Sequence, residues 1–142
     1  IGEDDLACHA SRGRTSRTEI MYGEAGRAYV YMIYGMYHCL NIVTEKKDFP
    51  AAVLIRGVKI YGSQTSLRKS DFVVLDGPGK LCKFMKIDRK LNGSGITKKE
   101  KLWVETGIKI KKAQINESKR IGVDYAEHCK NYLWRFSLKS EK

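Results

Sequence analysis

Apolar positions follow the period of an extended strand most densely between Tyr29 and Val43. Tyr29-Val30-Tyr31-Met32-Ile33 is rich in β-branched and aromatic side chains, the composition of a half-buried strand. Gly35 then interrupts the run, and a lone glycine in such a pattern marks a turn or bulge. The stretch therefore predicts a β-hairpin with Tyr34 at or near its tip. Successive strand side chains face opposite ways, so Tyr29, Tyr31, Ile33 and Tyr37 share one side and Tyr34 has the other parity. The charged run Thr44-Glu45-Lys46-Lys47-Asp48 reads as a turn, followed by a strand over 49–58 with Arg56 near its end. Periodicity over 59–70 is weak and predicts helix or loop. Gly77-Pro78-Gly79 breaks the chain and starts a helix over 80–87, with Leu81, Phe84 and Met85 on one face. Leu102-Trp103-Val104, Ile108-Lys109-Ile110 and Gln114-Ile115 read as short segments, partly strand, and 132–136 as a last strand. The class is α+β: a single domain over 1–142 with a curved, largely antiparallel sheet, a projecting β-hairpin and flanking helices.

Composition narrows the partners. With 142 residues, 42% of them hydrophobic, the chain can bury one real core. Lys and Arg number 27 against 16 Asp and Glu, for a net charge of +11, which favours nucleic acid ahead of an anionic membrane surface. A merely soluble basic protein has the same charge, so charge alone does not choose. No apolar run approaches the roughly 20 residues that span a bilayer, so a membrane is not an expected partner. The acidic opening is unlike a secretory signal, and a cytoplasmic location is the default. The first residue is Ile, which predicts a processed chain or a fragment of a longer one.

Four cysteines, Cys8, Cys39, Cys82 and Cys129, form no C-x-x-C, although three adjoin a histidine. Strand neighbours point to opposite faces, so each Cys–His pair offers about one ligand, and reduced, buried thiols are the better reading. No metal or cofactor is expected. The segment from His9 to Thr18 places Arg12, Arg14 and Arg17 among hydroxyl residues and Gly13, a composition that presents donors to anions or simply stays solvated. Lys80, beside a predicted helix start, is a further phosphate candidate, without the spacing of a Walker motif.

In order along the chain, Gly2-Glu3-Asp4-Asp5 leading to His9, Tyr34-Gly35-Met36-Tyr37, Ala52-Val53-Leu54-Ile55-Arg56 and Gly77-Pro78-Gly79-Lys80-Leu81-Cys82 resemble the alkyladenine (3-methyladenine) DNA glycosylases. The resemblance implies a base-excision repair enzyme that flips alkylated or deaminated purines from duplex DNA and hydrolyses the N-glycosidic bond with an activated water. Such an enzyme is monofunctional, acts as a monomer on double-stranded DNA containing damaged purines, and would be a bacterial-type, nucleoid-associated protein. By the same resemblance Tyr34 intercalates where the base has left, and Tyr31 is a wall of the base pocket. His9 meets the flipped base, and Asn41 at the pocket edge rejects the exocyclic amine of guanine. Arg56 positions the water, together with a carbonyl of Arg120-Ile121-Gly122-Val123. Arg12, Arg14, Arg17 and Lys80 are the DNA-backbone candidates. In relatives the general-base glutamate, in an E-A-Y triplet, and a second tyrosine wall precede the position of Ile1, and neither is among these 142 residues. Glu3, Asp4 and Asp5 are expected in a surface turn, out of reach of the water.

Two other readings follow from the same residues. One is a truncated, catalytically dead remnant. The other is a plain nucleic-acid-binding module whose tyrosines stack on single strands. Taken singly, Tyr34 reads as a hairpin core residue, His9 as a surface histidine and Asn41 as a polar strand terminus.

Overall fold

The computed structural model describes residues 1–61, 72–97 and 100–139. Its centre is a hairpin of β1 (Ala28–Ile33) and β2 (Tyr37–Val43), paired antiparallel from Ala28↔Ile42 to Ile33↔Tyr37. β3 (Ala52–Leu54) adds to the other edge of β2, with Asn41 opposite Leu54. Strand alternation then sorts the side chains into two layers. Ala28, Val30 and Leu40 face an aliphatic core with Ile87, Ile96 and, from α1 (Pro78–Phe84), Leu81 and Cys82. Tyr29 and Val43 face the opposite way, against Ala10, Met21 and Tyr22 of the N-terminal segment. That segment forms short 3-10 turns at His9–Arg12 and Glu19–Tyr22.

The strand expected over 49–58 is broken. The backbone N–H of Gly77 donates to the Arg56 carbonyl at 2.8 Å, and the chain leaves the first sheet there. It continues as β4 (Gly57–Tyr61), paired with β5 (Phe72–Asp76) in a separate ribbon. Lys59 to Tyr61 is thus strand rather than helix or loop, and 62–70 lies outside the described residues. α1 starts two residues earlier than expected, at Pro78, and ends at Phe84; Lys86 has φ +53°, which no helix continues through. None of 102–110 is strand. The last ribbon pairs β6 (Ile115–Ser118) with β7 (Arg135–Leu138), so the strand expected at 132–136 begins at Arg135, three residues late, after a 3-10 turn at Glu127–Asn131. Among the described residues strand pairing is antiparallel, divided among one three-stranded sheet and two ribbons. Among the described residues no helix is long and apolar enough to cross a membrane.

Asp5 is not in a surface turn. It is 2% exposed and takes both ends of the Arg120 guanidinium, Nη1 at 2.7 Å and Nη2 at 2.9 Å. The Ile1 amino group at 2.8 Å and the Ala7 amide at 3.1 Å donate to the same carboxylate. Arg120 also donates to the Cys129 carbonyl at 3.0 Å and lies 5.2 Å from the Trp134 ring centre, so one ion pair fastens the C-terminal segment to the N-terminal one. Burial alone would raise the Asp5 pKa, but Arg120 and the other donors outweigh it and hold the carboxyl at about 2. Because the folded value lies below the ordinary 3.8, this stabilisation is complete above that pH and is lost as pH falls toward 2. Asp5→Asn leaves a buried guanidinium without its counter-charge and should lower the unfolding free energy by about 3 kcal/mol in urea titrations. The variant should also lose this step of the acid transition.

Candidate active site

The first 3-10 turn and β1 meet at an aromatic corner. His9 Nδ1 and the Tyr29 hydroxyl are 2.8 Å apart. The His9 ring stands edge-on to Tyr31, with centres 4.5 Å apart and planes at 72°. Tyr29 and Tyr31 tilt against one another at 5.4 Å, and the Arg17 guanidinium lies 5.4 Å from the Tyr31 ring centre. Burial, then the nearby Arg17 charge, pushes the His9 pKa below its usual value, so the imidazole is neutral at pH 7. Burial raises both tyrosine pKa values, so both phenols keep their protons. Arg17 is also near enough for its charge to act on the Tyr29 phenol. A phenol proton directed to His9 Nδ1 leaves the imidazole proton on Nε2 as a donor.

Across the hairpin, Cys39 pairs with Tyr31 and Asn41 with Tyr29. Asn41 is no strand terminus: it lies inside β2, 6% exposed, because β3 covers the other edge. Its Nδ2 donates to the Tyr29 carbonyl at 3.2 Å. Arg56 follows β3, half-buried, near enough for its charge to act on the Cys39 thiol, which burial pushes up in pKa. Among the described residues it has no carboxylate partner. At the far end of the hairpin Tyr34 is 86% exposed, so it is not a core residue. Tyr34 and Gly35 have φ of +51° and +68°, and the Met36 N–H donates to the Ile33 carbonyl. This is the positive-φ tip that suits the twist of a hairpin, at a cost for a bulky residue such as tyrosine.

A family model for methylpurine-DNA glycosylases matches residues 1–142. The chain belongs to that family. A relative in Methanocella arvoryzae is 51% identical over 142 aligned residues, covering 96% of this chain and 70% of the relative. One in Clostridium perfringens is 43% identical across all of this chain and 77% of its own length, and one in Sodalis glossinidius is 46% identical across 96% and 73%. Each bears the name "Putative 3-methyladenine DNA glycosylase".

The backbone candidates of this methylpurine-DNA glycosylase family member are not equivalent. Arg12 and Lys80 are exposed, and Arg17 leans over Tyr31. Arg14 is committed: Nε and Nη2 donate to Glu19 at 2.8 and 2.7 Å, and Nη1 to Asp48 at 3.0 Å. Glu3 accepts from the Tyr22 hydroxyl. Sequence reasoning missed Tyr29 as a site residue, although its shared parity with Tyr31 pointed to it. It also missed Cys39, for which cross-strand pairing to Tyr31 is the only signal. Tyr29→Phe removes the donor to Nδ1, so nitrogen-15 NMR of His9 should show a single Nε2–H tautomer in the wild type and a mixture in the variant.

Proposed function

We propose that this chain excises alkylated or deaminated purines from duplex DNA by flipping the base into the His9–Tyr31 corner and hydrolysing its bond to the sugar. The observation that carries this reading is the pairing of a half-buried aromatic corner with an exposed aromatic wedge, Tyr34, on one rigid hairpin. An alkylated purine is electron-poor, and the Tyr31 face offers it stacking and cation–π attraction. The Nε2–H of His9 donates to an acceptor on the base edge, and Asn41 limits what that edge can carry. Tyr34 fills the vacated stack, while Arg12, Arg17 and Lys80 hold phosphates and position the protein without reading sequence.

In this reading Arg56, free of any carboxylate among the described residues, orients the attacking water. The reaction is a single hydrolysis without a lysine nucleophile. Glu3 is engaged by Tyr22 and Asp5 by Arg120, so neither serves as general base. That role falls to the glutamate that the family resemblance implies ahead of the position of Ile1.

The test is single-turnover release of 3-methyladenine or hypoxanthine from a labelled duplex, by this chain joined to the glutamate-bearing segment of its relatives. Release is expected, with Tyr31→Ala and Arg56→Ala each slowing it about 100-fold, the scale of lost positioning. No release, together with equal affinity for undamaged single strands, would instead make the chain a nucleic-acid-binding module.

A further inference from the structure

Tyr37 closes the hairpin opposite Ile33, next to the Tyr34–Met36 tip, and its ring lies directly on the backbone of α1 at Gly79. A Cβ built on Gly79 would stand 3.1 Å from Tyr37 Cδ1 and 3.3 Å from both its Cγ and its Cβ. Turning the ring relieves the first of these contacts. It cannot relieve the last, because Tyr37 Cβ is bonded to the strand backbone itself. Any side chain at position 79 therefore requires the strand end that carries the tip and the helix start to part by a few tenths of an ångström. The same helix start is tied to Arg56, whose carbonyl accepts from Gly77 N–H at 2.8 Å.

We propose that Gly79 is a positioning residue for the wedge. By letting the Tyr37 ring seat on the helix backbone, it fixes the Tyr34 tip relative to Arg56 and the aromatic corner. The inference rests on the wedge role given to Tyr34 above. Nothing in Gly79 itself touches DNA, since it acts through Tyr37. Elsewhere on an unobstructed helix, glycine to alanine favours the helix, so a loss of wedge function would not follow from a weaker α1.

The experiment is a double-mutant cycle of Gly79→Ala and Tyr37→Gly, which removes the Tyr37 Cβ as well as the ring, in the protein used for base release. Without DNA, Gly79→Ala should shift the Gly35 and Met36 amide resonances in the wild-type background and leave them unmoved in the Tyr37→Gly background. With a lesion duplex carrying 2-aminopurine beside the damaged base, Gly79→Ala should reduce the fluorescence rise and slow base release about tenfold. Neither effect should occur in the Tyr37→Gly background, and there Gly79→Ala should not lower the melting temperature. Equal effects in both backgrounds, or none in either, would overturn the proposal. A wild type that gives no 2-aminopurine response would instead sink the wedge reading, and the amide shifts alone would then decide whether Gly79 braces the hairpin.

Discussion

The register of β1 against β2 is the constraint from which the site follows. Pairing Tyr29 with Asn41 and Tyr31 with Cys39 puts the four side chains on one face. Val30 and Leu40 point the other way, into the aliphatic core under α1. A slip of one residue would send the tyrosines into that core and its aliphatic residues against the N-terminal segment, a change that burial on both faces forbids. The two layers are thus not independent. The N-terminal segment has an aromatic surface to fold against because the aliphatic one is already taken by the helix.

Electrostatically, the corner is unlike the protein around it. The chain carries a net charge of +11, yet burial keeps His9 uncharged and both phenols protonated. A neutral, polarised pocket inside a cationic surface separates two tasks. Long-range attraction to a polyanion comes from the surface, while the pocket presents oriented N–H and ring faces without a fixed charge to desolvate. Arg14 shows that not every surface cation is available for the first task, since its donors are held by Glu19 and Asp48.

What could be read in advance was local. The hairpin, its tip and the sidedness of its tyrosines follow from period-two alternation broken by Gly35, and neighbouring residues contain all of that information. The Asp5–Arg120 pair joins residues 115 apart, and an acidic cluster near an N-terminus looks the same whether solvated or buried. Likewise, beyond Arg56 the chain pairs with 72–76, distant in sequence, so an apolar run through 49–58 gives no sign of the break. Asn41 illustrates both limits. Its position on β2 was legible, but its burial depends on β3 arriving at the far edge.

The account stands or falls on where the base goes. A crystal structure of the chain, joined to its relatives' glutamate-bearing segment, with a duplex containing ethenoadenine decides it. The damaged base should lie on the Tyr31 face with an acceptor toward His9 Nε2, and Tyr34 should occupy the gap in the stack. A base still stacked in the duplex, with Tyr34 in solvent and Arg17 still over Tyr31, would contradict it.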